Sequence, residues 1–313
     1  MICGLFLCCG YSEWHFRLHQ VACSLSAVSS LYSVTMRVLA LLSLLILAGC
    51  SSSSAPTPGP SPVASRATIA GTITDTVTGA RVGSFSQDVD RLPALIPVSA
   101  AGFLTRQAWI MTAQPTVDLI PEAGFDLTFY RQFVRGALDG RMEPLRRWIQ
   151  PPSIYLQRTG LSDATVAALE QAAREAVIAF TGGQYGVTAW ETGEGRRAAQ
   201  SGWIMVELVN NEDSCGRAVI GGGTIWLNTA ERCHRNGAII LSPNGFTHEI
   251  GHTMGFWHVP SGLMQTPLPP NTLISPRERH HAALAYARPV GSQDVDQDPS
   301  SGSGLSALQS VVD

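Results

Sequence analysis

The stretch THEIGHTMGFWHVPSGLM, residues 247–264, places three histidines and one glutamate within eleven positions and then runs into a methionine. On an α-helix, residues four apart lie on one face a turn apart, so His248 and His252 can present two imidazoles to a single ion. Glu249, one position on from the first histidine, projects beside that ion and not onto it. A carboxylate must sit there to take a proton from an activated water. Zinc suits the set, because neutral imidazoles are its normal nitrogen ligands and it tolerates an open fourth position. HExxH alone arises by chance in roughly one chain of this size in a hundred, which makes it a moderate signal. Here it continues as His248-Glu249-x-x-His252-x-x-Gly255-x-x-His258. The added glycine and third histidine lower the chance level by about a further thousandfold. The glycine has a mechanical reason: the helix must stop and the chain turn sharply, often through positive φ, for His258 to return to the same ion.

At this point HEIGHTMGFWH resembles the zinc signature of the metzincin metallopeptidases, and the following SGLM is similar to their Met-turn, with Met264 in the methionine position. The short loop from His258 to Met264 and the Leu263-Met264 pair look most like the matrixin branch. The resemblance implies an α+β fold with a zincin-like catalytic domain: a twisted mixed sheet, an active-site helix below it, and a small C-terminal subdomain after Gly255. It implies one catalytic Zn2+ on His248, His252 and His258, with Met264 as an apolar floor under the metal and not a ligand. The astacin and serralysin branches carry a tyrosine two residues after the methionine, where this chain has Thr266. Oxyanion stabilisation would therefore fall mainly to the zinc itself. In the family, the strand before the zinc helix edges the cleft, and an extended peptide pairs antiparallel to it through backbone groups. The candidate is IGGGTIWLN, residues 220–228, with Gly223, Thr224, Ile225 and Trp226 as the substrate-strand positions. The other reading of Gly221, Gly222 and Gly223 is a bulge or bend, and both can hold.

Working outward, the residues on either side fit this order. Leu127, Tyr130, Phe133, Val134 and Leu138 recur at three and four spacing and predict a helix over 125–138. PPSIYLQ reads as a strand, and Ser162 as the N-cap of a helix through Phe180 with Val166, Leu169, Ala173 and Val177 on one face. GWIMVELVN and RAVIGGGTIWLN read as further strands before the histidine helix. After it, Ser275-Pro276-Arg277-Glu278 opens a last helix with a capping box and proline at the first position, and Pro289 ends it. The segment SPRERHHAALAYARP is similar to the C-terminal helix of matrixin-like domains, and His280 and His281 on it read as packing or surface residues. The tail QDVDQDPSSGSG reads as polar and disordered, with DVDQD as a weak calcium candidate. Upstream, Ile69, Gly71 and Ile73 alternate with threonines at strand period. GTITDTVTGARV is similar to the opening of small transthyretin-like β-sandwich repeats. The alternative is that these strands extend or cover the main domain.

The chain has 313 residues, 45% hydrophobic and 14% charged, enough for one large or two modest globular units. A net charge of −3 with no basic run gives no electrostatic footprint for nucleic acid. Of seven cysteines, Cys3, Cys8, Cys9 and Cys23 lie near the N-terminus, Cys50 stands alone, and only Cys215 and Cys233 fall in the main domain. MRVLALLSLLILAGCSSSS begins at Met36 with a positive Arg37 and a ten-residue stretch over 38–47 that is apolar but for Ser43, half of the ~20 residues a membrane-spanning helix needs. That is an export signal. Leu47-Ala48-Gly49-Cys50 resembles a bacterial lipobox, which implies cleavage before Cys50 and lipid on its sulfur and new amine. Ser51 lacks the aspartate that marks inner-membrane retention in the enterobacterial pattern, so the outer membrane is favoured. In an exported chain Cys215 and Cys233 are expected to pair, a disulfide contributing about 3 kcal/mol on the chain-entropy estimate.

The expected organisation is a spurious extension over 1–35, a lipoprotein signal over 36–49, a lipid anchor with a Ser/Pro-rich linker over 50–66, a small β-rich domain over 67–124, a metzincin-like domain over 125–290 and a disordered tail over 291–313. The expected function is zinc-dependent endopeptidase activity on a peptide or protein substrate, with Glu249 as general base. The alternative is an inactive zinc-containing surface lipoprotein that acts as a binding module. Glu249 separates the two, since it is the signature residue needed for proton transfer and not for metal binding.

Overall fold

Alternation at Ile69, Gly71 and Ile73 builds β1 (Ala67–Asp75), whose inward side chains are fully buried. The fold is described from a computed structural model over residues 66–210, 214–230, 233, 242–299 and 310–312. The extension 1–35, the signal 36–49, Cys50 and the Ser/Pro-rich segment up to residue 65 lie outside the described residues. β1 pairs antiparallel with β2 (Arg81–Val89) and parallel with β5 (Thr116–Leu119), while β3 (Ala94–Val98) and β4 (Arg106–Ile110) form a separate antiparallel pair. Ile69, Ile73, Ile96, Val98, Ile110 and Leu119 belong to one apolar cluster of these five strands.

The larger core begins at α1 (Leu127–Arg135). Asp126 caps it by accepting from the Phe129 N–H at 2.9 Å, and Gly136, in the left-handed region at φ 70°, stops it. A single 3-10 turn, Ala137–Asp139, follows. Then come β6 (Ser153–Gln157), α2 (Asp163–Phe180), β7 (Trp190–Gly193), β8 (Trp203–Val209), β9 (Gly216–Ile220), β10 (Thr224–Asn228), α3 (Pro243–Thr253), α4 (Pro276–Tyr286) and β11 (Ser310–Val312). Six strands form one sheet in the order β11-β9-β10-β8-β6-β7. The β7, β6, β8 and β10 neighbours are parallel, whereas β9 is antiparallel to both β10 and β11. The chain is thus mixed α+β with several sheets. Leu169, Ala173 and Phe180 of α2 pack with Phe246 and Ile250 of α3 and with Ile154, Ile204 and Ile225 of the sheet. Each large apolar side chain so buried contributes about 1.5–3 kcal/mol.

Three features differ from the sequence reading. RAVIGGGTIWLN is two strands, not one: Gly221, with φ 64°, opens a tight reversal through Gly222 and Gly223, so the bend reading of the glycines holds. β10 consequently lies inside the sheet, with β8 on one side and β9 on the other. Of the expected substrate-strand positions, Ile225 and Trp226 are paired on both sides, Thr224 pairs with Met205 of β8, and Gly223 precedes the strand. Residues 291–299 are packed, not a disordered tail, because their carboxylates meet buried guanidinium groups. Asp298, 2% exposed, accepts from Arg106 Nε at 2.9 Å and Nη2 at 3.1 Å and from the Trp109 N–H at 3.0 Å. Arg288 Nη1 and Arg106 Nη1 both reach the Asp118 carboxylate, which ties the N-terminal strands to the segment after α4. Asp294 of the same run holds Arg131 at 2.6 Å. Two carboxylates of DVDQD are thus committed to arginine, which removes the physical basis of the calcium reading.

Cys215 and Cys233 form a disulfide with Cα atoms 5.4 Å apart. It links the strand start at β9 to the segment that leads into α3. Among the described residues no helix is long and apolar enough to cross a membrane.

Candidate metal centre

α3 starts where the sequence supplies a cap: Ser242 Oγ accepts from the Gly245 N–H at 3.2 Å and Pro243 takes the first turn. The helix carries His248, Glu249 and His252, all buried. Beyond Met254 the chain turns at Gly255, φ 106°. A Cβ there would overlap the Arg146 carbonyl oxygen, so glycine is required both for its backbone angle and for space. The Trp257 N–H then donates to the Phe133 carbonyl at 2.7 Å, anchoring the return strand of chain that delivers His258. One ring nitrogen from each of His248, His252 and His258 lies within 4.8 Å of the others, and this is the one group among the described residues that could hold a metal ion.

Hydrogen bonding fixes which nitrogens of His248 and His252 are left to face a metal ion. His248 Nδ1 donates to the Leu263 carbonyl and His252 Nδ1 to the Phe256 carbonyl, each at 2.7 Å. With the proton on Nδ1, a neutral ring keeps its Nε2 lone pair bare. The two Nε2 atoms are 3.0 Å apart. Two lone pairs converging at that distance repel unless a cation or a proton stands between them. Protonation is opposed: burial pushes His248 down to about 4 and His252 well below its ordinary value, and the neighbouring histidines add to the effect. Burial also lowers His258, with Asp139 acting in the opposite direction. Three buried, neutral, convergent imidazoles could hold a metal ion.

Met264 is fully buried, and its sulfur lies against Gly251, between the two helical histidines. A Cβ at Gly251 would overlap that sulfur and meet Phe180 at 2.8 Å. The turn is locked by Val259 N–H donating to the Met264 carbonyl at 3.0 Å, and by Met264 N–H donating to Glu278 Oε1 at 2.8 Å. Glu278, fully buried, also accepts from the Ser275 N–H at 2.7 Å. The sequence motif assigns Glu278 only a capping role; its second oxygen, fixing the methionine turn, is visible only in three dimensions. His281 plays no part in the centre. Its Nε2 accepts from the Asp126 N–H at 3.2 Å and its Nδ1 donates to the Arg277 carbonyl at 2.8 Å, the packing role the sequence reading gave it.

A cavity of about 560 Å³ is lined by Thr247 and Leu263, by Ala176 and Ala179 of α2, and by Leu273 and Ile274. None of His248, Glu249, His252 and His258 lines it. Its size is within the range that accommodates small ligands or side chains. No family model matches the chain, and no curated protein is similar to it in sequence.

Proposed function

We propose that the chain is a zinc-dependent endopeptidase of metzincin type, closest to the matrixin branch, exported and held at a bacterial membrane by lipid on Cys50. The carrying observation is the convergence of two bare Nε2 atoms 3.0 Å apart, with His258 completing the cluster and Glu249 buried on the same helix. Zinc fits this set: nitrogen ligands at ~2.0–2.1 Å on a tetrahedral ion stand about 3.3 Å from each other, and three histidines leave a fourth position open. When bound, such an ion supplies a Lewis acid that polarises a carbonyl and makes water a nucleophile near neutral pH.

The chain's own residues do the rest. Glu249 takes one proton from the water as its oxygen bonds to the peptide carbonyl carbon, and returns that proton to the amide nitrogen as the C–N bond breaks. Met264 and Phe180 exclude water from beneath the histidine helix, and the Leu263 and Phe256 carbonyls hold the imidazoles in the tautomer that binds metal. Incubation of the full mature chain with a peptide library tests this reading. Cleavage that stops on zinc removal by a chelator and returns on zinc addition supports it. A zinc-loaded chain that cleaves no peptide supports instead a surface protein that binds without turnover.

A further inference from the structure

His248 and His252 each have a dedicated acceptor on Nδ1, but among the described residues no backbone carbonyl does this for His258. The Asp139 carboxylate faces its Nδ1, with Oδ2 at 3.9 Å. We infer that Asp139 is a positioning residue for the third metal ligand: it takes for His258 the place that the Leu263 and Phe256 carbonyls take for the other two histidines. The inference rests on the zinc-site reading above.

The fold holds Asp139 there deliberately by several contacts. Gly136 ends α1 in the left-handed region, and a Cβ on it would meet the Trp257 ring at 2.8 Å, so the chain passes flat against the residue before His258. The Trp257 N–H is bound to Phe133 in the last turn of α1, and the Arg141 guanidinium lies over the Trp257 ring at 5.3 Å. The turn Ala137–Asp139 and the loop of the third ligand are therefore one clamp. At 3.9 Å the carboxylate lies just beyond hydrogen-bond reach of the imidazole, and a small side-chain rotation or one bridging water makes the hydrogen bond. The Asp139 side chain is 33% exposed, so a water has access. With Nδ1 engaged by Asp139, His258 presents Nε2 to the ion. A carboxylate partner also makes an imidazole a stronger donor than a carbonyl does, and loss of such a partner typically lowers metal affinity by about 10- to 100-fold.

The test is the rate at which zinc leaves the full mature chain to a chelator, read for the unchanged protein and for Asp139→Ala, Asp139→Asn and Asp139→Glu. The expected result is zinc loss at least about tenfold faster in Asp139→Ala and Asp139→Asn, with Asp139→Glu within about threefold of the unchanged chain. The melting temperature of the zinc-free protein should not move in any of them, because Asp139 is outside both apolar cores. Zinc loss at the unchanged rate in Asp139→Ala overturns the inference and leaves the zinc site standing. A fall in zinc-free melting temperature that accounts for the faster loss overturns it as well, since the role is then structural. An unchanged chain that binds no zinc overturns both this inference and the reading beneath it.

Discussion

At the scale of single residues, the centre depends on positions where no other side chain fits. Gly255 combines φ 106° with a Cβ direction filled by the Arg146 carbonyl. Gly255→Ala is expected to cost on the order of 3 kcal/mol and to release His258 from the cluster. Urea denaturation and zinc titration check both, and a variant of unchanged stability would remove the geometric reason given for the glycine. Gly255 was legible in the sequence because it falls inside a spaced motif. Gly251 was not, although its missing Cβ leaves the space taken by the Met264 sulfur. Within HExxH it is an unconstrained position, and only the packed turn reveals what it touches. Asp139 escaped the sequence reading for a similar reason: it is 119 residues from His258 in the chain, and nothing local marks it.

At the scale of elements, caps and periodicity were readable. Ser162 and Ser275 cap α2 and α4 as expected, and the stripe predicted for α2 packs on the core. Of that predicted for α1, Tyr130, Phe133 and Val134 face the core, whereas Leu127 and Leu138 are exposed and the helix stops at Arg135, short of 138. The hairpin was not. Nothing in IGGGTIWLN states whether three glycines bend one strand or join two, and the answer reverses which strand is interior. Edge status is a property of the sheet and not of a segment, so the substrate-strand assignment had no physical basis until the order was known. α4 shows how one element serves another. Glu278 accepts from both Ser275 and Met264, so Glu278→Ala should destabilise by about 3 kcal/mol, more than loss of an exposed cap. It should also weaken zinc binding, because the Leu263 carbonyl that orients His248 belongs to the same turn. Chemical denaturation against a Ser275→Ala control measures the first part. Equal losses in the two variants would confine Glu278 to capping.

At the scale of the whole molecule, ionic links join distant parts of the chain. Burial pushes the Asp118 carboxyl up, but the Arg288 and Arg106 guanidinium groups more than offset this and hold it below its ordinary value of 3.8. A folded-state value below the unfolded one gives stability that is fully present above pH ~4 and is lost as pH falls through the lowered folded value. Asp118→Asn should therefore lower the urea midpoint at pH 7 and flatten its decline below pH ~4, whereas an unchanged acid limb would deny the network this role. Composition suggested none of this: the carboxylates after α4 read as a solvated tail, because the arginines that bury them lie up to 192 residues earlier. The histidine cluster was the most legible part of the molecule, since one helix and the turn after it supply all three imidazoles. The most direct test of its proposed use compares peptide-library cleavage by the unchanged mature chain and by Glu249→Gln, each carrying one zinc ion. The account predicts that the variant retains zinc and loses about 10²- to 10⁴-fold in turnover. Equal turnover by the two proteins, or none by the zinc-loaded unchanged chain, would contradict it.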